Sequence, residues 1–259
     1  MHLQHLSDAE YFALPHVNRS VIYDAWKRSP AHSRVGIQST PAMDFGTAVH
    51  RLMLQPEEFQ KSYGVLKDDW VSKSARPKTT KKWKEAEAKT PGVTLITPKE
   101  YEEYNACLQS GYEHPRASNL LSDSSAEREV TTTWTDDYTG LDLKAKYDLI
   151  SEVHGWIADI KTTRDASPGS FSKSAANFGY VFQAAFYLQQ VPSYDYYIIA
   201  IETVPPYLTA VYQFKPDDLA HGHRQVAEAI EQYAHCVNEN DWHGYPDDVQ
   251  TLEMPGWWA

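Results

Sequence analysis

"LKAKYDLISEVHGWIADIKTT", residues 143–163, is the stretch on which the fold turns. Its alternation of apolar and polar residues predicts two strands joined by the short turn "SEVHG". On the first strand, Leu141, Leu143, Ala145, Tyr147 and Leu149 fall on one face, with Asp142, Lys144, Lys146 and Asp148 on the other. On the second, Trp156, Ala158 and Ile160 alternate with Ile157, Asp159 and Lys161. The connection is short enough to make Asp148 and Asp159 cross-strand neighbours. Asp159 and Lys161 alone read as an ordinary ion pair on a solvated strand face. A second carboxylate beside them is unfavourable unless a cation joins the group. Oxygen ligands favour a hard ion such as Mg²⁺, which takes one or two carboxylates and leaves its other positions to water and phosphate. A lysine at such a centre is placed to act on water or to stabilise developing negative charge.

Working outward, "EVTTTW" from Glu129 supplies a preceding strand, so residues 129–163 read as a three-stranded meander. Upstream, Asn18 caps a helix that stops at Ser29-Pro30, and Phe45, Val49, Leu52 and Met53 mark a second helix that ends before Pro56. Thr97-Pro98 opens a third, closing near Gly111. Downstream, "FSKSAANFGYVFQAAFYLQQV" reads as one helix with Phe178, Val181, Phe182, Ala185 and Leu188 as its apolar stripe and Gln183 and Tyr187 beside it. Two strands, "YDYYIIAIETV" and "YLTAVYQF", and a long amphipathic helix over 216–238 follow. The expectation is an α/β (α+β) fold, a central mixed β-sheet flanked by helices. It is expected as a single domain over 1–259, mainly helical over 1–128 with a basic excursion at about 64–92, and with the core over 129–259.

Composition narrows the setting. The chain has 259 residues, 42% hydrophobic, enough for a sizeable core. No run of about 18 apolar residues predicts a membrane span. The N-terminus lacks a signal-peptide pattern, and only Cys107 and Cys236 are present, so a reducing cytoplasm is expected and a cysteine metal framework is not. The net charge of −11 argues against a polyanionic partner, but seven basic residues lie between Lys73 and Lys89 against only Glu85 and Glu87. A local basic patch on an acidic protein still suits a polyanion.

The pattern Asp148…Asp159-Ile160-Lys161 resembles the PD-(D/E)xK nuclease signature in its D-x-K form, with "KYD" in place of Pro-Asp. "GTAVHRLML" with His50, "EVTTTW" with Glu129, "KYDLI", "WIADIKTT" and "YVFQAAFY" follow in an order and spacing similar to phage-type exonucleases of the RecE (exonuclease VIII) kind. The resemblance runs from "NRSVIYDAW" to "MPGWW". It implies a restriction-endonuclease-like core and an exodeoxyribonuclease degrading the 5′-ended strand of linear duplex DNA to leave 3′ single-stranded tails. It further implies two Mg²⁺ ions, replaceable by Mn²⁺, a single-strand annealing protein of the RecT type as partner, and a ring-shaped homo-oligomer, a tetramer in RecE-like enzymes. Asp148, Asp159, Glu129, His50 and the Ile160 carbonyl are then the expected metal ligands. Lys161 is the expected catalytic lysine, with Gln183 and Tyr187 facing the site.

Other readings stand beside these. Alternation puts Glu127 on the same face as Glu129, and Glu129 is preferred because "EVTTTW" aligns with the family segment. A helical histidine such as His50 is more often an ordinary surface or core residue. Arg164 is a candidate for a DNA phosphate. Lys73, Arg76, Lys78, Lys81 and Lys82, around Trp83, read either as DNA contacts or as a solvated loop. Trp257 and Trp258 suit packing or an oligomer contact. The rival functions are a restriction-type or RecB-like endonuclease on the same core, and a non-catalytic DNA-binding protein.

Overall fold

The structure is a computed structural model, described here over residues 2–36 and 38–254. The first half is helical. The elements are α1 (Asp8–Ala13), the short β1 (Val17–Asn18), α2 (Arg19–Lys27), α3 (Pro30–Ser33), α4 (Pro41–Leu54) and α5 (Pro56–Ser62). Then come β2 (Tyr63–Val65), α6 (Asp69–Lys73), α7 (Lys81–Lys89), β3 (Thr94–Ile96), α8 (Pro98–Glu113) and α9 (Pro115–Leu121). The second half carries β4 (Glu127–Thr135), β5 (Asp142–Ser151), β6 (Trp156–Thr163), α10 (Pro168–Phe178), α11 (Tyr180–Tyr187), β7 (Asp195–Glu202), β8 (Thr209–Tyr212) and α12 (Pro216–Glu239).

β4, β5 and β6 form the expected antiparallel meander, β7 joins β6 in parallel, and β8 closes the row antiparallel to β7. The sheet is therefore mixed, and it separates two cores. Leu143, Ala145, Tyr147, Ile157 and Ile198 pack with Ile22 of α2, Phe182 and Phe186 of α11, and Val226 and Ile230 of α12. On the opposite face, Ala158, Ile160, Ile199 and Ile201 pack with Val49 and Met53 of α4, Cys107 of α8 and Leu121 of α9. Burying apolar area contributes about 25 cal/mol per Å², so covering both faces holds the sheet between its helices.

Four expectations need correction. The alternation on β5 breaks: Tyr147 belongs to the first core, Leu149 to the second, and Ile150 to the first again. The facing residue on β4, Glu129, sits at φ +55°, left-handed backbone that a non-glycine residue rarely adopts. The two strands change face together at this point. The helix expected over 171–191 is not continuous: Gly179 at φ +65° ends α10 and begins α11, leaving Phe178 exposed rather than in an apolar stripe. Glycine is required there, because a Cβ would meet the Tyr23 ring at 2.3 Å. Gly111 does not close α8. It lies buried two residues inside the end, where a Cβ would stand 2.8 Å from Met53 Cε, so it serves close helix packing.

The fourth correction concerns the basic excursion, which is folded rather than a loop. β2 and β3 pair in parallel, and Val71, Trp83 and Leu95 make a third small core beneath α6 and α7. Trp83 is fully buried, with its indole N–H donating to Glu87 at 2.7 Å. Trp257 and Trp258 lie outside the described residues. No helix among the described residues is long and apolar enough to cross a membrane.

Candidate active site

β5 has β4 along one edge, while its other edge is shared. β6 pairs with it only at Leu149, Ile150 and Ser151, and β1 only at Leu143 and Lys144. Residues 145–148 thus face a gap between β6 and β1. Asp148 lies in that gap and accepts the Ile160 N–H at 2.7 Å, a side-chain replacement for the ladder bond lost where the strands part.

α4 lays His50 over the gap. Its Nε2 is 2.8 Å from Asp148 Oδ2 and its Nδ1 is 3.1 Å from Glu129 Oε1. The left-handed turn at Glu129 aims that carboxylate inward, while Glu127 turns outward to His5 at 3.0 Å. Alternation had put the two glutamates on one face, and the break in the strand separates them. His50, Glu129 and Asp148 each offer a ligand atom within 4.8 Å of the others, the one such group among the described residues.

Asp159 stands on β6 beside this group, almost fully buried. Gln183 of α11 donates to its Oδ1 at 2.5 Å, and Lys161 Nζ lies 2.6 Å from its Oδ2. That second oxygen is buried yet has no aligned hydrogen-bond donor. The Lys161 ammonium also lies 5.1 Å from the centre of the Tyr180 ring. Gln183 is held in turn by the helix break, since Gly179 O accepts its N–H at 3.0 Å and also accepts Arg19 Nη2 at 2.5 Å.

The charges are strongly coupled. Burial, with Asp148 nearby, pushes Asp159 up to about 6 against the pull of Lys161. Burial acts the same way on Asp148, but His50, Lys161 and the Ile160 N–H outweigh it and hold that carboxyl low. Burial favours neutral His50, yet Asp148 and Glu129 overcome it and raise the imidazole to about 9. Lys161 is likewise raised by Asp159 and Asp148 in spite of burial. Burial raises Glu129, opposed by His50 and Lys146. Asp148 is thus held as an anion facing the His50 imidazolium and the Lys161 ammonium.

This donor set fits a divalent cation. The carboxylates suit Mg²⁺ or Mn²⁺, and His50 would join them as a ligand only on giving up its proton. The Ile160 side chain packs in the second core, with its N–H already committed to Asp148.

The remaining expected residues divide between the site's edge and the surface. Tyr187 packs edge-on against Tyr147 and near Tyr196, and its carbonyl accepts the Tyr147 hydroxyl at 3.2 Å; burial, with Asp159 and Asp148 nearby, raises its phenol, which puts it beside the carboxylates. Arg164 is exposed just beyond β6. Lys73, Arg76, Lys78, Lys81 and Lys82 are all exposed on the small folded excursion. Lys73 pairs with Asp69 at 3.8 Å, Lys78 with Glu100 at 2.6 Å and Lys81 with Glu85 at 3.8 Å.

Sequence reasoning missed Lys146, which bridges Glu129 at 2.6 Å and Asp8 at 2.7 Å, and Arg51, which also reaches Asp8 at 2.7 Å. Lys146 carried a usable signal, two residues from Asp148 on the same strand. Asp8 carried none, being far off in the chain.

No curated protein matches the chain. A candidate exonuclease from Eubacterium rectale has a crystal structure with TM-score 0.59 and 13% identity, over 97% of this chain and 96% of that one, which shows a shared fold. A phage-related exonuclease from Haemophilus somnus 129PT, 13% identical over 75% of this chain and 95% of that one, superposes only at TM-score 0.33. Residues 23–254 match the family described as "PDDEXK-like domain of unknown function (DUF3799)", and that span holds Asp148, Asp159, Lys161, Glu129, His50 and Gln183. With nearly its whole length matched, the chain belongs to this PDDEXK-like family.

Proposed function

We propose that the protein is a divalent-metal-dependent exodeoxyribonuclease that degrades the 5′-ended strand of linear duplex DNA and leaves 3′ single-stranded tails. The observation that carries the reading is the meeting of Asp148, Asp159 and Lys161 where β5 and β6 part, with Glu129 and His50 closing over them. A structural ion-pair network has no need of so many buried charges, because apolar residues of like volume serve stability as well or better.

Asp148, Asp159, Glu129, His50 and the Ile160 carbonyl would hold Mg²⁺, with Mn²⁺ as a substitute and two ions per site. When bound, the metal supplies Lewis-acid charge for phosphodiester hydrolysis. The protein groups do the rest. Lys161 keeps its proton at neutral pH, so its ammonium is available to a phosphate oxygen or to the attacking water. Gln183 fixes the Asp159 carboxylate by an amide hydrogen bond, a charge-assisted contact of about 2 kcal/mol. Tyr180 backs the lysine, and Tyr187 stiffens the helix that carries Gln183. Arg164 and the lysines of the excursion are the proposed contacts to the DNA backbone.

The 5′→3′ direction, a ring-shaped homo-oligomer and a RecT-type annealing partner follow from resemblance to RecE-like enzymes. Duplexes carrying a label at one 5′ or one 3′ end test the direction. Early release of the 5′ label as nucleotides is expected. Early release of the 3′ label reverses the polarity, and cleavage inside the duplex before either label leaves favours an endonuclease.

A further inference from the structure

The N-terminal helix is tied to the site at a point that the proposed mechanism leaves idle. Lys146 lies on β5 two residues before Asp148, and its side chain is only 15% exposed. It spans from Glu129 Oε2 at 2.6 Å to Asp8 Oδ1 at 2.7 Å. Asp8, in the first turn of α1, is fixed on its other side by Arg51, the residue after His50, at 2.7 Å. The segment is also held by contacts that do not involve Asp8. Gln4 and Thr131 exchange backbone hydrogen bonds at 2.8 Å, and Lys144 Nζ donates to the carbonyls of Tyr11 and Leu14.

Lys146 therefore divides one charge between a carboxylate inside the cluster and one outside it. An ammonium resting on Glu129 competes with any other cation for that oxygen. The anion on its far side weakens the competition by drawing the ammonium away. We propose that Asp8 is a positioning residue for the carboxylate cluster: by sharing Lys146 with Glu129, it sets how tightly the cluster takes a divalent cation. The inference rests on the reading of the cluster as a metal site.

The test uses Mn²⁺ alone as probe, its free concentration read by electron paramagnetic resonance during titration of the full chain. Four proteins are compared: wild type, Asp8→Asn, Lys146→Gln and the double variant. Asp8→Asn should raise the Kd about threefold, the scale of a half-exposed ion pair, because the ammonium then rests wholly on Glu129. Lys146→Gln should lower the Kd. The double variant should match Lys146→Gln, since without the ammonium Asp8 has nothing to act through.

An unchanged Kd for Asp8→Asn overturns the proposal. So does an Asp8→Asn effect of equal size in both backgrounds, which is the mark of charge acting through space. Wild-type protein that takes up no Mn²⁺ overturns the metal reading itself and this inference with it. Thermal melts in chelator check folding. Should Asp8→Asn not fold, Lys146→Gln decides by sign, and a Kd that is not lowered overturns the proposal.

Discussion

Two regions of this chain mix lysines with carboxylates, and the fold treats them in opposite ways. Around β5 and β6, Asp148, Asp159, Glu129 and Lys161 are drawn in between two apolar cores. On α6 and α7, Lys73, Lys81, Lys82, Asp69 and Glu85 stay in water above a core of three buried residues. Exposed pairs of the second kind are worth about 0–1 kcal/mol and cost little to keep. Removing one partner from a buried pair of the first kind costs about 3–5 kcal/mol. Charge held against that penalty is charge that the site uses, whereas charge on the excursion is available to whatever polyanion approaches.

The sharpest way to break this contrast is at Lys161 and Asp159. Lys161→Ala and Asp159→Ala should each lower nucleotide release from linear duplex by about 10³-fold or more, with oligomerisation unchanged. A rate within tenfold of wild type in either variant removes these residues from the chemistry. Next in size is the core under the excursion. Trp83→Ala should cost about 3–5 kcal/mol locally. Hydrogen exchange should then show residues 63–96 losing protection while β5 to β7 keep theirs, and loss of protection throughout would mean that the two regions are not separable.

The third prediction concerns pH. His50 titrates near 9 in the folded chain against 6.5 as its ordinary value. The folded state therefore keeps a proton that the unfolded state sheds. This contribution is full below about pH 6.5 and is lost as the pH rises through about 9. In chelator, the Tm should fall across that window, and His50→Gln should flatten the fall. An equal slope in both proteins would place the titration elsewhere. The smallest effect is expected on the excursion surface. Lys81→Ala and Lys82→Ala should each change stability by no more than about 0.5 kcal/mol. Where such a lysine meets a phosphate, its loss should reduce the slope of log K against log salt by about 0.9. An unchanged slope in both would assign these lysines to solvent.

Much of the frame was legible because it rests on local periodicity. The meander, both faces of β6, α4 and α12 follow from alternation or from helical spacing, and Thr97 caps α8 as its Thr-Pro signal implies. What was not legible depends on contacts remote in the chain. The change of face at Glu129 and Asp148 needs two strands to distort together, and alternation has no term for it. The break at Gly179 is imposed by Tyr23, more than a hundred residues earlier. Likewise Asp8 reaches Lys146 only because the N-terminal segment folds back beside β4. For Lys161, Asp159 and Asp148 the residue types sufficed. Glu129 needed the left-handed turn to be separated from Glu127.

The most direct test places wild-type protein with linear duplex and with covalently closed circular duplex, each with Mg²⁺ and with chelator. The account predicts nucleotide release from the linear form with Mg²⁺, none in chelator, and an intact circle throughout. Binding of linear duplex without nucleotide release in Mg²⁺, or release that persists in chelator, would contradict it.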